Sequence, residues 1–242
     1  MKFSFTLSSL LVLVFWPSII CAQSFTAANK EAISIGEVSI NLSLPDNFKN
    51  LMADEEIRAM ALAGKAPSNE LLGVYADPNV VRNAKNSGEL IPLSLRVAYM
   101  TKMKDRDLSE SAISAIRATY EEKTPEIMRP GSKEYNSLMT RLQTSVSQAT
   151  KGEAKYSVPD VANFGIVASS ADHFTAMMLM NVSWDFADGS VSAPYLVTYT
   201  NFTVNNRLIF LYVYKRFQTS DDITFVKKFS EDWITRIRAD NP

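Results

Sequence analysis

The chain has 242 residues, 46% hydrophobic and 10% aromatic, with 25 Lys and Arg against 26 Asp and Glu. Balanced charge without a basic run excludes the electrostatic footprint of a nucleic-acid or anionic-membrane binder. One His, one Cys and eight Gly rule out a classical Ser, Cys or zinc hydrolase, and no G-x-S-x-G elbow, P-loop or G-x-G-x-x-G is present.

Residues 1–22 have the order of a secretory signal peptide. Lys2 is the positive residue, Leu10 to Trp16 an unbroken apolar run, Pro17 the break, and Ile20-Cys21-Ala22 a cleavage site before Gln23. The apolar stretch from Leu7 to Ile20 is shorter than the ~20 residues a bilayer span requires. Cleavage also removes the single cysteine, so the remaining chain has no thiol or disulfide, and about 220 residues bury enough surface without one. A short signal and a cysteine-free mature chain point to a bacterial periplasm. The sequons at Asn41, Asn181 and Asn201 fall inside expected strands, where a glycan fits poorly.

A flexible leader is expected over 23–36, followed by a single domain over 37–242. Val38, Ile40, Leu42 and Leu44 alternate with polar residues, the period of a half-buried strand, and Pro45-Asp46 ends it. Asp54 caps a helix running to about Ala63, with Gly64 as its stop. Leu71 to Tyr75 is a short strand. Asp77 to Glu89, with Pro78, three Asn and Gly88, reads as a loop, and Leu93 to Met100 as the next strand.

Ser109 caps a helix with Ile113, Ile116 and Tyr120 facing inward and Leu108 and Ile113 as a staple. Pro125 and Pro130-Gly131 interrupt the chain. Ser132 then caps a helix whose stripe is Tyr135, Leu138, Met139, Leu142 and Val146.

Asp188-Gly189 and Asn205-Asn206 are hairpin signals between β-rich runs, which together predict a three-stranded meander. Across the second turn Tyr199 faces Tyr212 and Val197 faces Tyr214. Across the first, Met180 is expected opposite Val197 and Met178 opposite Tyr199. Period-2 alternation makes both faces apolar, so both need cover and the sheet belongs between helical layers. A last helix, with acidic residues at its start, repeats Ile223, Val226, Phe229, Trp233, Ile234 and Ile237 at helical spacing. The fold class is therefore α+β: a mostly antiparallel sheet flanked by helices in an α/β/α sandwich, ending in the meander and a C-terminal helix.

An alternating strand running into Leu44-Pro45-Asp46-Asn47-Phe48, together with the meander and the Trp-bearing terminal helix, resembles the PsbP-like α/β/α sandwich superfamily. The resemblance covers the two ends of the chain. It implies a non-enzymatic accessory or binding domain that meets protein partners, and it carries no catalytic residues over.

The candidate ligand-binding residues are Tyr195, Tyr199, Tyr212 and Tyr214 on one sheet face, with Arg216 at its end. Aromatic walls with a few polar tips are what groove-type sites use. His173, at the start of a strand, reads as a satisfied or exposed histidine. Asp54-Glu55-Glu56, Glu121-Glu122 and Asp221-Asp222 fall at helix ends, where acidic residues serve the dipole. The expected function is a secreted cell-envelope binding or accessory protein without catalytic chemistry, cofactor or metal, whose partner is a protein or small ligand of the envelope. The alternative is a carboxylate enzyme of glycosidase type acting on envelope material, which needs two acids facing one another in a cleft.

Overall fold

The computed structural model describes residues 25, 29–66, 68–152, 154–186 and 189–242. Residues 1–22, expected to be a signal peptide, lie outside the described residues. Strands β1 (Lys30–Ile35) and β2 (Val38–Ser43) form a separate hairpin. The remaining strands are β3 (Lys49–Asn50), β4 (Asn69–Ala76), β5 (Leu93–Met100), β6 (Ala154–Ser157), β7 (Val161–Ser169), β8 (His173–Phe186), β9 (Gly189–Val204) and β10 (Arg207–Arg216). They make one antiparallel sheet in the order β3-β4-β5-β10-β9-β8-β6, in which β6 pairs the end of β8 and β7 pairs its first half. The helices are α1 (Glu55–Ala63), α2 (Pro78–Ser87), α3 (Glu110–Ile127), α4 (Lys133–Ala149) and α5 (Asp221–Ala239). This is the expected sandwich.

Both sheet faces carry helices, as their composition demanded. On one, α5 lays Val226, Phe229, Trp233, Ile234 and Ile237 against Met177, Leu196, Ile209, Leu211 and Val213. Thr198 and Ser230 share a buried hydroxyl bond of 2.8 Å across that contact. The β1–β2 hairpin packs on the same core, and the Trp233 Nε1 donates to the Ser43 carbonyl at 2.7 Å. On the other face, α3 covers Phe174, Leu208 and Phe210 through Ile113, with Leu108, Ile116 and Tyr120 packed around them.

Four expectations need correction. The leader is ordered from Lys30 onward, with Ile33 and Ile35 buried, and Phe25 stacks on Phe229 at 5.1 Å. Those apolar residues alternate with polar ones just as β2 does, and a partner strand lay immediately downstream.

The segment expected as a loop contains α2. Asp77 is an N-cap that accepts from the Asn79 amide at 2.8 Å, Pro78 is the first helical residue, and Gly88 ends the helix with φ 68°. Proline at a helix start and glycine just past its end are helix signals in these positions.

The third correction concerns Pro125, which lies within the last turn of α3 rather than interrupting the chain before it. The fourth is the register of β8 on β9, which differs by two residues: Met178 pairs with Val197 and Met180 with Tyr195. Gly189 is the first paired residue of β9, opposite Phe186, so the strands meet one residue earlier than a turn at Asp188-Gly189 allows. A shift of this parity leaves every side chain on its expected face. Across Asn205-Asn206, both residues at positive φ, the register is as expected.

Candidate ligand-binding cleft

The face of the sheet that carries α3 is not covered to its end. Beyond α3, the floor formed by β4, β5, β10, β9, β8 and β6 presents Val74, Ser94, Arg96, Tyr214, Tyr195, Val182, Trp184 and Tyr156 to an open space. Ile57, Met60 and Ala61 of α1 form one wall. The end of α2 and the chain leading to β5 form the next, with Lys85, Glu89, Leu90 and Ile91, and the start of β9 closes the rim with Ser190 and Val191. This cleft measures about 720 Å³. A second, smaller compartment of about 200 Å³ lies beside it beneath α4. The two share Met60, Arg96, Tyr156, Trp184 and Tyr214. Met128, Leu138, Met139, Leu142, Val146 and Met180 give the inner compartment its apolar, methionine-rich lining.

Arg96 stands where the compartments meet. In β5 it lies opposite Tyr212 of β10 and Val74 of β4, while Leu95 and Val97 on either side of it point into the α5 core. Its guanidinium carbon sits 4.7 Å over the Tyr214 ring, a favourable cation–π arrangement. The Arg96 Nε is shut off from solvent and meets no hydrogen-bond acceptor. Gly64, the stop of α1, lies beside it: a Cβ there would sit 3.4 Å from Nη1, an ordinary van der Waals contact.

The other charges of the lining are already matched. Lys85 bonds Asp54 at 3.1 Å and Glu56 at 2.8 Å, and Glu89 pairs with Arg216 at 3.1 Å. The aromatic side chains of the lining have partners of their own. Tyr156 and Trp184 pack with centroids 4.9 Å apart, and the Tyr195 hydroxyl donates to the Ile91 carbonyl at 2.5 Å. Burial pushes the Tyr156 phenol up to about 12 and the Tyr195 phenol higher still, so both are neutral donors at physiological pH.

The candidate residues divide into two groups. Tyr195 and Tyr214 line the cleft. Tyr199 and Tyr212 lie under α3, where Tyr199 packs on Tyr120 at 6.4 Å, Phe210 at 5.7 Å and Tyr212 at 5.1 Å. Burial drives both of their phenols up. Arg216 sits beside the cleft, paired with Glu89 at its rim. The sequence reading missed Arg96. The signal was present: one charged residue in the apolar strand Leu93–Met100 of a sheet expected to be covered on both faces.

His173 makes no catalytic triad. Ser170 Oγ and Asp172 Oδ1 both approach its Nδ1, at 2.7 and 2.9 Å, whereas a triad uses the two ring nitrogens separately. Among the described residues there is no group of three or more His, Cys, Asp or Glu able to hold a metal ion. Also among them, no helix is long and apolar enough to cross a membrane.

No protein-family model and no curated protein sequence matches the chain. Among solved structures it is similar to the Ran-binding protein Mog1p of Saccharomyces cerevisiae, at 8% identity and a TM-score of 0.33, over 85% of this chain and 84% of that one. It is also similar to PsbP (CyanoP) of the cyanobacterium Synechocystis, at 10% identity and a TM-score of 0.32, over 88% and 95% respectively. The second belongs to the family that the two ends of the sequence resemble. Both are likenesses of chain course, and what those proteins bind stays with them.

Proposed function

We propose that this chain is a non-catalytic binding protein of the cell envelope that holds a small molecule in the cleft between α1, α2, α4 and the sheet. The observation that carries the reading is the cleft itself. Its volume of about 720 Å³ lies in the range of small-molecule sites, and its apolar and aromatic walls with few polar groups are the usual composition of such sites. Export is supported by the signal-type order of residues 1–22.

The glycosidase alternative is less well supported. The acids of the cleft lining, Glu56 and Glu89, are rim residues whose side chains are 65% and 61% exposed, and each is engaged by a cation. A glycosidase needs its carboxylates opposed across the bound sugar.

Native mass spectrometry of the protein, released gently from its own cell envelope, tests the proposal. The expected result is a non-covalent excess of a few hundred daltons that is lost in Ser94→Phe, which places a ring on the cleft floor. A bare mass, or an excess that Ser94→Phe retains, would overturn it.

A further inference from the structure

The matched charges of the cleft leave one charge over, and that narrows the ligand. Of the two cations lining the compartments, Lys85 is held by Asp54 and Glu56. Arg96 is in none of the ion pairs among the described residues, and its Nε is buried without an acceptor. A guanidinium cannot shed its proton to escape this situation, and Arg96, partly buried at the cleft floor, carries its charge there without a counter-charge. Tyr214 offers its ring face to the cation but no negative charge.

The surroundings on either side of Arg96 differ. On one side are the floor hydroxyl of Ser94 and the rim groups Ser190, Glu56 and Glu89; on the other is the compartment of Met128, Leu138, Met139, Leu142 and Met180. Unbranched, polarisable methionine side chains adapt to a flexible aliphatic chain. Both rim glutamates are paired, with Lys85 and Arg216, so the one unmatched cation calls for a single negative charge.

We propose, building on the cleft reading above, that the ligand is a monoanionic aliphatic amphiphile. Its carboxylate meets Arg96 beside Tyr214, and its hydrocarbon tail enters the compartment beneath α4. Planar two-point recognition of a carboxylate is what a guanidinium provides and an ammonium does not.

The test uses decanoate, decanol and decylamine, each titrated calorimetrically into the purified protein at neutral pH. Decanoate is expected to bind about tenfold or more tighter than decanol, the size of a charge-assisted hydrogen bond, and decylamine weakest. Arg96→Gln should bring decanoate down to the affinity of decanol and leave decanol unchanged. The comparison of ligands on the unaltered protein stands even if that variant folds poorly. Equal affinities for decanoate and decanol would overturn the anion while leaving the cleft as a binding site. Binding of none of the three would overturn both this inference and the aliphatic site it rests on. Decanoate binding that Arg96→Gln leaves intact would overturn the role given to Arg96.

Discussion

Arg96 on β5 and Tyr214 on β10 face the same side of the sheet, with the guanidinium 4.7 Å above the phenol ring. This contact is the junction of two compartments and of two kinds of packing. On the α3 side of it the sheet is closed core, and on the α1 and α4 side it is open cleft.

That division predicts different consequences for tyrosines and tryptophans of one face. Tyr199→Ala removes a ring packed among Tyr120, Phe210 and Tyr212 and should cost about 3–5 kcal/mol of stability, with ligand affinity retained in the folded fraction. Trp184→Ala opens the cleft floor and should lower affinity severalfold with a smaller stability loss. Urea unfolding and calorimetric binding of both variants check this, and an interchange of the two outcomes would contradict the placement of the cleft.

Gly73 is required by its neighbour two residues on. The Tyr75 ring lies back over it on the same strand, so a Cβ at Gly73 would collide with the ring, and β4 carries a bulge between Leu71 and Gly73. Gly73→Ala should destabilise by about 1–3 kcal/mol through overpacking. In a Tyr75→Ala background the same change should cost clearly less. A double-mutant cycle in urea measures the coupling.

Trp233 fastens α5 to the separate hairpin through its bond to the Ser43 carbonyl. Trp233→Phe leaves that buried acceptor without its donor, at a cost of about 1–3 kcal/mol, besides the lost packing. Hydrogen exchange at Ile40 and Leu42 of β2 should accelerate more than at Val97 of β5, because the hairpin is hydrogen-bonded only within itself as a sheet.

Asp172 ties the start of β8 to the end of α5. Burial alone would raise its carboxyl, but hydrogen bonds from Ser170, His173 and Arg238 outweigh burial and hold it at about 2 against an ordinary 3.8. The folded value is the lower one, so this stabilisation is fully present above pH 3.8 and is lost as pH falls through about 2. Its size is on the order of 1 kcal/mol after solvent screening. Asp172→Asn should therefore be less stable than the parent at about pH 6 and converge with it near pH 2. Parallel unfolding curves with a constant gap would contradict the assignment.

What was legible from sequence follows from how local each signal is. The type of turn at Asn205-Asn206 set the β9–β10 register because both residues sit at positive φ. The stripe of α4 and the cap at Ser132, which accepts from the Tyr135 amide at 3.0 Å, were equally local. The α2 helix was hidden because Asp, Pro, Asn and Gly serve both loops and helix ends, and its buried contribution is only Val81 and Ala84. The cleft was half legible. Period-2 reasoning placed Tyr195 and Tyr214 on one face with Tyr199 and Tyr212, but which part of that face α3 covers is a long-range outcome. Arg96 could be placed on that face only once β5 was known to pair with β10.

The central claim is that the cleft at Arg96 receives the ligand, and methionine-methyl NMR with decanoate tests it directly. Met60, Met139 and Met180 line the compartments, Met177 faces the α5 core, and Met103 lies in the turn after β5. The account predicts saturable shifts of the Met60, Met139 and Met180 methyl signals with Met177 and Met103 unmoved. Shifts that spare Met60, Met139 and Met180, or that fall equally on all five, would contradict it.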